Sequence, residues 1–283
     1  MAPTRNAAAE VGRLIVTADD AGVSDSIDEA IIDLARKGAI TALAAFANFG
    51  RLDHIKSAQR YCDLTLHLNI SSGHPLTRPQ KIPHLLDDRG AFRSPMSLVR
   101  DEAEALEKAI QRYGELVLSA IPISEIGQEF QEQLAQFISI IGSCPNTGSV
   151  HHDLDKFFSV DQSLRTCVGL PQCRQQLLRA GKLSGFRYLF CAKGETSDGH
   201  VERVRLLISE GLGTSRARDG KPFEIALHPA KSGDQLSDFT AYREGREIEY
   251  EAWRSPMILK ILAKGVRSGP FLEFCDRTID EVV

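Results

Sequence analysis

Short apolar runs alternate with amphipathic helical stretches along almost the whole sequence. Leu14-Ile15-Val16-Thr17 is apolar and β-branched, the composition of a buried strand. Polar and small residues take over abruptly at Ala18-Asp19-Asp20-Ala21-Gly22. Ser26 and Glu29 then have capping-box spacing, and Ile27, Ala30, Ile31 and Leu34 follow at i, i+3, i+4 and i+7. This predicts an amphipathic helix that Gly38 can end. Residues 40–46 read as a second strand, 52–61 as a second helix and 63–70 as a third strand. Such a rhythm argues for parallel β/α units rather than an all-α or all-β chain.

Further along, residues 71–95 are rich in Gly, Pro, Asp and Ser without a sustained period, which predicts a long binding or lid loop. Helices are expected over 101–113, 123–141, 172–180, 201–210 and 247–263. Strands are expected near 149–153, 185–191 and 223–227. At 283 residues the chain fits one large domain, since a single α/β barrel commonly runs to about 250 residues. The expected organisation is a polar tail over residues 1–12 and one barrel domain over 13–283. Hydrophobic residues at 42% and charged residues at 25% exclude a wholly disordered chain. Apolar runs such as 42–47 fall well short of the roughly 20 residues a membrane helix needs. A net charge of −4 gives no global electrostatic case for a nucleic-acid partner. The six cysteines contain no Cys-x-x-Cys pair, and residues 1–13 lack an apolar leader core, so reduced thiols in a cytoplasm are expected.

Chemistry-bearing residues gather where strands run out, which is where parallel α/β folds assemble their sites. Asp19 and Asp20 end the first strand; one could ligate a metal while the other takes a proton. A helix N-terminal acid pair is the bland alternative. In Leu64-Thr65-Leu66-His67-Leu68-Asn69 the period of two puts His67 and Asn69 opposite the leucines. His151-His152-Asp153-Leu154-Asp155 is the densest cluster of potential ligands; if its strand persists, His151, Asp153 and Asp155 share a face. A solvated turn is the alternative there. Glu224, Ala226 and His228 alternate with Phe223, Ile225 and Leu227, and His228 precedes Pro229, well placed as a general acid. Taken together, four sequence-distant strand ends with carboxylate or imidazole favour metal-assisted hydrolysis.

Residues 14–24, LIVTADDAGVS, resemble the opening L-I-V-N-A-D-D-F-G-L-S block of the YdjC/ChbG-like carbohydrate deacetylases. Gly38-Ala39-Ile40-Thr41 is similar to that family's G-I-V-T continuation. His67, Gly73, Pro75 and Leu76 fall in register with its G-L-H-L-x-L-x-x-G-x-P-L block. Residues 223–229 look like its E-x-x-x-H-P-G block, and Tyr242, Arg246 and Glu249 like a Y-x-x-x-R-x-x-E stretch. The resemblance implies a single-domain, distorted (β/α) TIM-like barrel that removes an N-acetyl group from an amino sugar or its conjugate. It implies a divalent metal ion, zinc or magnesium, with manganese as a further choice. By position, Asp19 would be the general base, Asp20 and His67 metal ligands, and His228 the general acid. The family's middle H-x-D-x-H-x-H block is altered here: Asp155 stands where a ligand His belongs, with His151 and His152 as alternates. Ala21 replaces the usual Phe, Thr17 the usual Asn and Ala230 the usual Gly.

The implied partner is a small N-acetylated amino sugar or oligosaccharide, with no nucleic acid and no membrane span, and a homodimer is possible on family grounds. The alternatives are a hydrolase of another amide on the same scaffold and a carbohydrate-binding barrel whose metal site has degraded. Trp253 reads as a packing residue. His54, His74, His84 and His200 read as surface residues, with His74 a candidate substrate contact.

Overall fold

The computed structural model describes residues 12–95, 106–157, 172–232 and 242–265. In chain order these form β1 (Leu14–Ala21), α1 (Asp25–Arg36), β2 (Ala42–Ala45), α2 (Leu52–Ile55), β3 (Asp63–Leu68), α3 (Leu106–Leu116), α4 (Ile123–Ile141) and β4 (Gly148–Val150). After them come α5 (Arg174–Arg179), β5 (Gly185–Tyr188), α6 (Ser197–Ala217), β6 (Phe223–Leu227), α7 (Glu244–Trp253) and α8 (Pro256–Gly265). The strands are parallel and order as β4-β3-β2-β1-β6-β5. This is the expected α/β fold of the distorted TIM-like barrel class. The expected helix over 101–113 is observed from Leu106; its first residues lie outside the described ones.

Contacts group the fold into two compact units: residues up to Ala45, His54–Thr65 and from Gln176 onward in one, Phe46–Asp53 and Leu66–Gln175 in the other. In the first unit β1 is the centre. It pairs with β2 on one side and with β6 on the other, Val16 opposite Ile225 and Thr17 opposite Ala226. All eight residues of β1 are buried, as a central strand covered on both faces requires. Ile15, Ala42, Leu177 and Leu183 form one knot of this core. The second unit holds the β3–β4 pairing, Leu66 opposite Gly148 and Leu68 opposite Val150. Helix α4 buries Ile126, Phe130, Leu134 and Phe137, the expected stripe.

Local chemistry moves several boundaries. The N-cap of α1 is Ser24, whose hydroxyl accepts from the Ile27 N–H at 3.3 Å, and not Ser26, whose own hydroxyl reaches the Lys231 carbonyl. At its far end Gly38 takes φ 69°, and the Ala39 N–H returns to the Leu34 carbonyl at 2.9 Å. The single long helix expected over 247–263 is two helices, broken at Arg254-Ser255 before Pro256, which can begin a helix but not sit inside one. Trp253 is fully buried, as expected. His200 is not a surface residue: α6 starts four residues earlier than the pattern suggested and carries His200 into the core at 0% exposure. No helix among the described residues is long and apolar enough to cross a membrane.

Candidate active site

Asp19 and Asp20 lie at an irregularity in β1. Ala18 faces Leu43 and Ala21 faces Ala45, so β1 carries one residue more than β2 across this stretch. Asp20 absorbs the extra residue with φ 70°, a left-handed conformation that few non-glycine residues adopt. A regular strand would send neighbouring side chains to opposite faces; the bulge re-aims them. Both aspartates are buried, each 1% exposed, so neither is a solvated helix-end acid.

A buried carboxylate needs a partner. Asp20 has Arg246, whose Nη2 donates to its Oδ2 at 2.5 Å with both side chains almost fully buried. Arg246 comes from α7, and Glu249 on the same helix face accepts from the backbone N–H of His228 at 2.6 Å. The Tyr242 hydroxyl donates to the other oxygen of Glu249 at 2.5 Å. Burial pushes the Glu249 carboxyl up to about 7, against the pull of Tyr242, the His228 N–H and Arg246. Burial also raises the Tyr242 hydroxyl, reinforced by the carboxylate beside it. The His228 ring stacks on Phe190, centroids 4.7 Å apart and planes at 15°. Thr17, at the usual Asn position, donates its hydroxyl to Glu224 at 2.8 Å. One helix after the last strand therefore holds both Asp20 and the backbone of His228.

The second unit assembles the imidazoles. His67 has its Nδ1 2.6 Å from the Ser149 hydroxyl, the residue opposite it on β4. His151 has its Nδ1 3.1 Å from the Ser71 hydroxyl, which also meets His152 Nδ1 at 3.2 Å. The His67 and His151 rings lie 5.4 Å apart at 69°, and both touch Phe46. Each offers a ring nitrogen within 4.8 Å of the other's. The strand does not persist through this cluster: β4 ends at Val150, and His152 and Asp153 turn left-handed at φ 60° and 52°. His151, Asp153 and Asp155 therefore do not share a strand face. They lie in a tight 3-10 turn, where Asp153 pairs with Lys156 at 3.1 Å and Asp155 is buried.

The loop after β3 is held from α4. Glu129 accepts from the backbone N–H groups of Leu76 and Thr77 at 3.1 and 2.9 Å. Gln133 accepts from the Asn69 N–H at 2.9 Å, and Asn69 Oδ1 accepts from Ser71 and Ser72. Burial raises the Glu129 carboxyl, while these donors lower it. Asn69 was expected on the His67 face without a role; it sets the loop that presents Ser71. His74 is exposed, with Nδ1 3.2 Å from the Gly90 carbonyl. Arg246, Glu249, Ser71 and Ser149 had no assigned role from sequence. The Arg-x-x-Glu spacing, which places two charges on one helix face, was the available signal for the first two.

The model of the YdjC-like protein family matches residues 13–264. The chain belongs to that family. Among curated relatives, a protein named carbohydrate deacetylase from Thermoanaerobacter pseudethanolicus is 23% identical over 88% of this chain and 93% of its own. A protein named chitooligosaccharide deacetylase from Escherichia fergusonii is 27% identical over 92% of this chain and 98% of its own. A crystal structure named for a cellobiose-phosphate cleavage protein of Enterococcus faecalis superposes with a TM-score of 0.73 at 19% identity, covering 94% of this chain and all of that one. At that identity the likeness speaks to the fold. Asp19 and Asp20 lie on β1, and His228 directly follows the last residue of β6.

Proposed function

We propose that this protein is a metal-dependent carbohydrate deacetylase that releases acetate from an N-acetylated amino sugar or a chitooligosaccharide. The observation that carries the reading is the buried Asp19–Asp20 pair in the β1 bulge, with one acid clamped by Arg246. The names of the relatives supply the substrate class.

The donor chemistry fits a divalent ion. His67 and His151 offer imidazoles, nitrogen donors suited to zinc or another first-row ion, and the family resemblance adds the Asp20 carboxylate as an oxygen donor. Both rings engage a serine through Nδ1, which leaves Nε2 as the ligand atom in each. His151 takes precedence over Asp155 as third ligand, because its nitrogen groups with that of His67. When bound, the ion supplies a Lewis acid that polarises the acetamide carbonyl.

The remaining work falls to this chain's own groups. Asp19 takes a proton from the attacking water. His228, fixed through its backbone N–H by Glu249, protonates the departing sugar amine. Arg246 orients the Asp20 carboxylate. Phe190, about two-fifths exposed and stacked on His228, offers an apolar face to a sugar ring. The four free cysteines among the described residues fit a reducing cytoplasm.

The test is acetate release from acetylated chitooligosaccharides by metal-loaded protein, beside chelated protein and Asp19→Asn. Release that needs both the ion and Asp19 supports the reading. Turnover of non-sugar amides alone would move it to another amide hydrolase, and metal binding without turnover to a binding protein.

A further inference from the structure

A second cluster of ligand-type side chains lies away from the Asp19–Asp20 bulge, in the stretch that leads from β5 into α6. Cys191, Glu195 and His200 each offer one donor atom, and the three atoms lie within 4.8 Å of one another. Cys191 is buried and His200 fully so, while Glu195 keeps a side-chain exposure of 9%. We propose that these three residues form a second cation site, suited to a soft or borderline divalent ion such as zinc, cobalt(II) or cadmium.

The present bonding is incomplete in the way such a site requires. Three donors converge on one oxygen of Glu195: the Ala192 N–H at 2.8 Å, His200 Nδ1 at 3.1 Å and Arg203 Nη1 at 2.5 Å. The Cys191 thiol lies 3.5 Å from the Ala192 carbonyl, and a cation would displace its proton. His200 Nε2 has no hydrogen-bond partner although its ring is fully buried. Buried imidazole nitrogens without a partner are rare, and each calls for an explanation. A sulfur, a nitrogen and an oxygen form a donor set that selects a borderline or soft ion over magnesium or calcium.

Electrostatics set the conditions for filling it. Burial, with Glu195 beside it, pushes the Cys191 thiol up to about 11, so without a cation it stays protonated. Binding would break the S–H bond, release the proton to solvent and form the metal–thiolate bond. Burial raises the Glu195 carboxyl, but the Ala192 N–H, His200 and Arg203 outweigh it and hold it down at about 2, so it is already anionic. Burial lowers the His200 imidazole, against the opposing pull of the Glu195 carboxylate. Arg203 opposes a cation, but its side chain is 43% exposed and can swing into solvent as the ion takes its place on Glu195. Thiolate and carboxylate together neutralise the incoming double charge.

The site adjoins the proposed general acid. The Cys191 N–H donates to the Tyr242 hydroxyl, Tyr242 donates to Glu249, and Glu249 holds the His228 N–H. Phe190, stacked on His228, is the residue before Cys191.

Cobalt(II) titration of the full-length protein tests the proposal without reference to turnover. None of the residues Asp20, His67 and His151 carries sulfur, so a thiolate-to-cobalt charge-transfer band in the near ultraviolet reports a cysteine ligand, which the cysteine variants then assign. The expected result is one equivalent of such a band, abolished in Cys191→Ser and retained in Cys62→Ser, Cys144→Ser and Asp20→Asn. Glu195→Gln, which keeps the side-chain volume, is expected to weaken cobalt binding at least tenfold. Absence of the band in the wild-type protein, its survival in Cys191→Ser, or undiminished affinity in Glu195→Gln would overturn the proposal.

Discussion

Arg246 and Asp20 are 226 residues apart in sequence and 2.5 Å apart at their nearest side-chain atoms, both almost wholly buried. The pair sets a carboxyl against a guanidinium inside the protein, at a backbone position that is itself strained. Breaking such a pair on one side strands a buried charge, which costs about 3–5 kcal/mol. Arg246→Met is expected to lower unfolding free energy by about that much, read by urea denaturation. Asp20→Asn combined with Arg246→Met should recover most of the loss. A single variant as stable as the wild type would mean that Asp20 is not charged in the folded protein.

Ser149 and Ser71 sit on the Nδ1 atoms of His67 and His151. Removing a hydrogen bond that orients an imidazole ligand typically costs about 10–100-fold in metal affinity. Ser149→Ala and Ser71→Ala should each weaken zinc binding by roughly that factor in calorimetric titration, with melting temperatures little changed. Unchanged affinity in both would remove these histidines from the ligand set.

The third ligand can be assigned by comparison. His151→Gln should lose the ion and acetate release together, while Asp155→Asn should keep the ion. The reverse pattern, read by elemental analysis of the purified variants, would return the ligand role to Asp155. Asp19→Asn should keep the ion and lose about 10²–10⁴-fold in turnover, the usual worth of a general base.

Glu249 makes stability depend on pH. Its carboxyl rises from an ordinary 4.5 to about 7 through burial. The folded state therefore holds the proton more tightly than the unfolded chain, and stability falls as pH rises. This contribution is complete below pH 4.5 and lost on passing about pH 7. Unfolding midpoints measured across that window should fall with pH in the wild type, and the slope should flatten in Glu249→Gln. An equal slope in both proteins would assign the effect to another group.

The fold was largely legible in the residues. The Leu14–Thr17 run, the Ile27–Leu34 stripe and the Ile126–Phe137 stripe name their elements because burying an apolar face is a local demand with a fixed period. Boundaries were less legible where one polar group could serve two partners. Ser24 and Ser26 are equally good caps in sequence, and the Lys231 carbonyl, about two hundred residues away, takes the second. His200 looked like a surface residue for a related reason: its burial comes from where α6 begins and what that helix packs against, not from its neighbours in sequence.

The candidate site divides in the same way. Asp19, Asp20, His67 and His228 stand at strand ends, and their positions follow from chain order alone, because a parallel sheet always delivers strand ends to one edge. The roles of Arg246, Glu249, Ser71 and Ser149 do not follow from chain order. A buried charge or imidazole needs a partner of matching polarity within about 3 Å, and which residue comes that close is set by how helices and loops pack. The alternation of strand and helix thus determined which groups reach the edge of the sheet. The tertiary structure decided what holds each of them, through a bulge at Asp20 and a turn at His152-Asp153 that no local preference predicts.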